Sequence, residues 1–120
     1  MSKVVHFEIP AEDPQTKMTF FSNVFGWQFQ PYGDAGYFLT TAGEDGVTGI
    51  GGAIMKRNHA DQPLTNTIGV ASIDDTIATI EANGGTIVVP KMEVGDMGSL
   101  AYFTDPEGMI HGLWEVKTQG

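Results

Sequence analysis

The chain has no cysteine. That absence removes disulfides, thiolate metal sites and cysteine nucleophiles together. Basic residues are scarce: six Lys and Arg stand against fifteen Asp and Glu, a formal net charge of −9. A nucleic-acid binder needs clustered cations to displace counterions from phosphates, and an anionic membrane surface repels such a balance. Neither partner is expected. No apolar run approaches the ~20 residues that span a bilayer. The start, Met1-Ser2-Lys3-Val4-Val5-His6, runs straight into a strand pattern, without the apolar stretch and cleavage site of a signal peptide. A cytoplasmic location is expected. The glycines form no GxGxxG followed by a helix, and there is no GxSxG. Small molecules and protein partners remain.

What is present suits one globular domain. The 120 residues are 41% hydrophobic and 18% charged, enough to bury a real core. Lys3 to Pro10 alternates as a strand, with Val5, Phe7 and Ile9 on one face and Val4, His6 and Glu8 on the other. Asp13-Pro14 reads as a helix cap followed by proline at the first helical position, and Gly26 as the helix end. Met18, Phe21, Val24 and Phe25 make its apolar side. Strands are predicted over 27–32, 37–41 and 47–57, with a turn at 43–46. A polar linker covers 58–63. A second strand, helix and three strands follow: 66–71, then a helix with Ile73, Ile77 and Ile80, then 86–89, 100–104 and 109–116. Asp105-Pro106-Glu107-Gly108 is a turn signal. The order repeats: two βαβββ modules, roughly 1–57 and 64–117, predict an α+β fold. Each sheet would bury one face under its helix, and the other faces would curve as a mixed sheet around a cleft.

Three segments carry a family likeness: His6-Phe7-Glu8-Ile9-Pro10, then Phe20-Phe21-Ser22-Asn23-Val24-Phe25-Gly26-Trp27, then Tyr102-Phe103-Thr104-Asp105-Pro106-Glu107-Gly108-Met109. With the element order, they resemble the vicinal-oxygen-chelate superfamily of glyoxalases, bleomycin-resistance proteins and extradiol dioxygenases, over nearly the whole chain. Gly51 to Arg57 is similar to a glyoxalase-like subgroup without an assigned reaction. The resemblance implies a divalent metal held by His, Gln or Glu from the first, fourth, fifth and eighth strands. His6 matches the first position. Alignment places the others near Gly52, Ile68 and Gly112, none of which offers a side-chain ligand. A catalytic metal normally takes three protein ligands, so no metal cofactor is expected. A divalent metal stays open only through a compensating set such as His6, Glu8 and His111, which opposite strand faces disfavour.

His6 and Glu8 share a face and are the catalytic candidates. Imidazole titrates near neutrality, and a carboxylate beside it could orient it or meet a polar ligand group. The plainer readings are a hydrogen-bonded strand histidine and a solvated strand-end carboxylate. His111 and Glu115 share the face opposite Gly112 and Trp114. His59 falls in the linker and is read as solvated. Met55, Tyr102, Trp114 and Trp27 are soft or aromatic residues on or near the cleft strands, and core packing is their commoner fate. The ligand-binding expectation is therefore His6, Glu8, Met55, Tyr102 and Trp114. It describes a glyoxalase-like protein that binds a small molecule without the usual metal. The alternative is a lyase, isomerase or dioxygenase of glyoxalase type, with a metal or with His6/Glu8 acid–base chemistry. The resemblance also implies a homodimer.

Overall fold

In a computed structural model, residues 2–40 and 49–117 are described. The turn expected at 43–46 lies outside them. Ten elements follow one another: β1 (Lys3–Ala11), α1 (Pro14–Phe25), β2 (Phe29–Pro31), β3 (Tyr37–Thr40), β4 (Gly51–Lys56), β5 (Thr65–Gly69), α2 (Ile73–Ala82), β6 (Thr86–Val94), β7 (Gly98–Thr104) and β8 (Ile110–Val116). Among the described residues, two helices and eight strands in paired βαβββ order make the α+β fold that the sequence predicts. Contacts divide the chain into two units, His6–Leu64 and Met1–Val5 with Thr65–Gly120.

The first unit has strand order β2-β3-β4-β1. β1 pairs parallel with β4, and the other neighbours are antiparallel. Asp13 caps α1, accepting from the Gln15 amide at 3.2 Å and the Thr16 hydroxyl at 2.7 Å. Pro14 sits at the helix start, where its missing N–H removes no helix bond. Gly26 ends the helix at φ 75°, a conformation that costs glycine no Cβ clash, and its N–H donates to Ser22 O at 2.9 Å. Ala11, Met18 and Ile54 form the core, with Ile9, Phe21, Phe29 and Phe38 packed on it. The helix thus covers the β1 face that carries Ile9 and Ala11. Trp27 belongs to this side: it stacks on Phe21 at 4.7 Å and contacts Phe7, Phe25 and Phe29. It is a packing residue, the commoner fate for such a side chain.

The second unit repeats the plan as β5-β8-β7-β6, with β5 parallel to β8. Ile73, Ala101 and Leu113 form its core, with Ile68, Val70, Ile77, Ile80 and Phe103 against them. Ser72 caps α2 by accepting from the Asp75 amide at 3.2 Å. A second cap comes from a distant strand: Glu115 Oε1 accepts from the Ile73 amide at 2.6 Å, where the helix dipole favours a negative group. The Asp105–Gly108 turn closes with Gly108 N to Asp105 O at 2.9 Å.

Several strands differ at their ends from the sequence expectation. β2 begins at Phe29, because Trp27 is drawn into the aromatic cluster under α1. β6 runs on through Pro90 to Val94. A proline has no N–H for a ladder, yet β6 is the edge of its unit's sheet and its register shifts on both sides of Val89, which tolerates it.

Candidate functional site

β1 sets the site. Phe7 and Ile9 turn to α1, so His6 and Glu8 turn to the open face of the same sheet. The β1–β4 register places His6 beside Gly51 and Glu8 beside Ala53. Both β4 residues are small, and they leave room above that strand. Tyr37, on β3 and paired with Met55, reaches across β4 through that space. Its hydroxyl donates to Glu8 Oε2 at 2.7 Å, and His6 Nε2 lies 2.9 Å from the Tyr37 hydroxyl oxygen. Three side chains from two strands, with a third strand between them, form one hydrogen-bonded cluster. Glu8 is 7% exposed. A carboxyl group so far from water needs such partners. Burial pushes the His6 pKa below its ordinary value, and the Glu8 charge opposes part of that shift.

Met55 lies on the same face, beside Tyr37. The amide of Gln62 donates to its sulfur at 3.8 Å. The segment read as a plain polar linker is organised around this end of β4. Arg57 Nη1 donates to Ala60 O at 2.9 Å and Gln62 O at 3.1 Å, and the Asn58 amide donates to Gln62 Oε1 at 2.6 Å. His59 is exposed, as expected.

The second unit has its own open face. Gly112 pairs with Thr67 and Tyr102, and Trp114 with Gly69 and Leu100. A Cβ on Gly112 would come within 3.3 Å of the Tyr102 ring and 2.9 Å of the Thr67 hydroxyl, and one on Gly98 would meet the Trp114 ring at 2.8 Å. Tyr102 and Trp114 therefore line one face, each lying over a glycine. His111 faces the other way. It stacks on Phe103 at 5.2 Å, and its Nε2 lies 3.0 Å from Asp105 Oδ2. The hydrogen bond from His111 is the largest of the influences that hold the Asp105 carboxyl below the usual range. Glu115, on the same side, is the cap of α2.

Two of the aligned metal positions need correction. Gly52 pairs with Phe7, and a Cβ there would lie 2.5 Å from the Phe7 ring; it belongs to the α1 side. Ile68 packs on the core beneath α2. A slip of one residue turns a strand position to the other face. The open-face positions are Gly51 and Ala53 on β4, and Thr67 on β5. Gly112 is placed as expected. The donors are then the His6 imidazole, the Glu8 carboxylate and the Tyr37 hydroxyl on the first unit's open face, and the Thr67 and Tyr102 hydroxyls on the second's. Among the described residues no three His, Cys, Asp or Glu gather. This set does not fit the four-ligand chelate that the family likeness implies.

Tyr37 is the member that sequence reading missed. Strand alternation places it with Leu39, but nothing local ties it to β1. The available signal was the pairing of a strand tyrosine with a neighbouring strand that has Gly51 and Ala53 at alternate positions.

With this geometry established, likeness to known proteins adds the lineage. The model described as Glyoxalase/Bleomycin resistance protein/Dioxygenase superfamily matches residues 3–111. A Mycobacterium bovis protein named "Putative glyoxylase CFP32" is 26% identical over 115 residues, 92% of this chain and 44% of its own length. The chain thus spans less than half of that relative. A "Glyoxylase-like domain-containing protein" of Didymella fabae is 29% identical over 114 residues, 88% of each chain. The crystal structure of methylmalonyl-CoA epimerase from Mycobacterium tuberculosis gives a TM-score of 0.69 at 12% identity, covering 96% of this chain and 88% of that one. That likeness is one of fold.

Proposed function

The chain belongs to the Glyoxalase/Bleomycin resistance protein/Dioxygenase superfamily, and on that premise we propose that it binds a small organic molecule on the open face of its first unit, without the family's metal chelate. The observation that carries this reading is the His6–Tyr37–Glu8 cluster. Its polar groups are held in place on a sheet face that the helix does not cover. Met55 of β4 and Leu39 of β3 supply apolar surface on that face, and the other β4 residues there, Gly51 and Ala53, are small. A mostly apolar surface with a few placed polar groups is the usual composition of a small-molecule site. The fold by itself would not assign this role, since one fold hosts many activities. The cytoplasm is the compartment this reading assumes.

A thermal-unfolding screen against small polar organic compounds tests it. Binding to the native state raises its apparent stability. Compounds that raise the midpoint for the wild type should lose that effect with His6→Ala. Hits that stabilise His6→Ala equally would move the site elsewhere. The reading includes a homodimer: β2 and β6 are the outer strands of their sheets, and an unpaired strand edge invites a second copy. Light scattering should give twice the monomer mass, and a monomer would remove that part.

A further inference from the structure

The hydrogen bonds of the cluster have a direction that chemistry fixes. A carboxylate oxygen only accepts, so the Tyr37 hydroxyl uses its one proton on Glu8 Oε2. Toward His6 the Tyr37 oxygen can then only accept. At 2.9 Å, His6 Nε2 must be the donor. A neutral imidazole with its proton on Nε2 carries a bare lone pair on Nδ1. Burial favours the neutral ring, since it holds the pKa below the ordinary value. Among the described residues no hydrogen bond engages Nδ1.

We propose that His6 Nδ1 is the proton-accepting atom of this face, with Tyr37 fixing its tautomer and Glu8 orienting Tyr37. The ligand class is a small molecule that presents an acidic X–H group, such as a phenol, an enol or a carbon next to a carbonyl. The place of the ligand rests on the binding reading above; the tautomer does not. The step is a simple transfer. The X–H bond breaks, its electron pair stays on X, and the proton forms a new bond to Nδ1. His6 becomes an imidazolium whose Nε2–H still donates to Tyr37, and Tyr37 still donates to the Glu8 carboxylate. The new positive charge therefore sits in a chain that ends on a negative group, and hydrogen bonds of that kind strengthen with charge. Return of the proton to another atom of the ligand would complete an isomerisation, with no oxidant or co-reactant. Tyr37 and Glu8 are positioning residues here.

Nitrogen-15 NMR of histidine-labelled protein near pH 7.5 tests the arrangement directly, before any ligand is added. The expected His6 pattern is a protonated Nε2 and a bare Nδ1. In Tyr37→Phe the single tautomer should give way to a mixture, and in Glu8→Gln the His6 pKa should fall further, because the Glu8 charge is what raises it. A proton on Nδ1 in the wild type, or a folded Tyr37→Phe with an unchanged tautomer, would overturn the proposal. The dependence of the tautomer on Tyr37 tests the positioning, and the response of Nδ1 to an added X–H compound tests the accepting role, which a purely structural cluster would lack. Phenol is then the probe for the X–H group. It should move both the Met55 methyl signal and the Nδ1 signal of the wild type. Movement at Met55 without movement at Nδ1 overturns the accepting role. Movement at neither, with the tautomer as expected, overturns the placement of this ligand class on the face.

Discussion

His6 is desolvated on its strand, and its pKa lies below the ordinary value of 6.5. In the window between the depressed folded value and 6.5, the unfolded chain binds more protons than the folded one, so stability rises with pH there. The His6 contribution is complete above about 6.5 and is lost as pH falls through the folded value. Melting midpoints measured from pH 7.5 downward should drop across that window, and His6→Gln should flatten the drop. An equally steep drop in the variant would place the titrating group elsewhere. His6 and Glu8 were legible in the sequence because period-two alternation puts them opposite Phe7 and Ile9, and strand periodicity needs only one segment. Tyr37 was not. Its meaning depends on which strand lies between β3 and β1, and on that strand having Gly51 and Ala53 where side chains would block the reach.

At the scale of elements, the caps and turns were legible and the long-range partners were not. Asp13-Pro14, Gly26 and Gly108 act as local chemistry dictates. The second cap of α2 was invisible from the sequence, because Glu115 lies 42 positions away from the Ile73 amide it accepts from. A charge-assisted acceptor at a helix N-terminus contributes about 1–2 kcal/mol. Glu115→Ala should lower the unfolding free energy by that amount in a denaturant titration with an unchanged slope, and a neutral result would show that Ser72 suffices alone. The errors at Gly52 and Ile68 have one cause. Glycine-rich and β-branched stretches carry a weak alternation signal, and the face of a strand changes completely with one residue of register. β6 was cut short for a different reason. Pro90 reads as a strand breaker unless the strand is known to be an edge.

For the whole molecule, the repeat of βαβββ order predicted the architecture without matching residues between the halves. Each unit has a parallel pair, β1 with β4 and β5 with β8, at equivalent places. Family membership follows from residues 3–111, while the donors near the positions where the likeness places the family's ligands do not fit its chelate. His6 stands on its strand with its Nε2 directed to Tyr37, and Gly51 and Ala53 of β4 and Gly112 of β8 offer no side-chain ligand on the open faces. The chemistry open to this face is therefore that of imidazole, phenol and carboxylate. The measurement that decides between this and metal chemistry is thermal unfolding of untagged protein with chelator and with added zinc, nickel, manganese or iron, alongside an assay of bound metal. A native metal site must raise the midpoint when it fills. The structure predicts the same midpoint in every condition and substoichiometric metal. A stoichiometric metal whose stabilisation disappears in His6→Ala would contradict it.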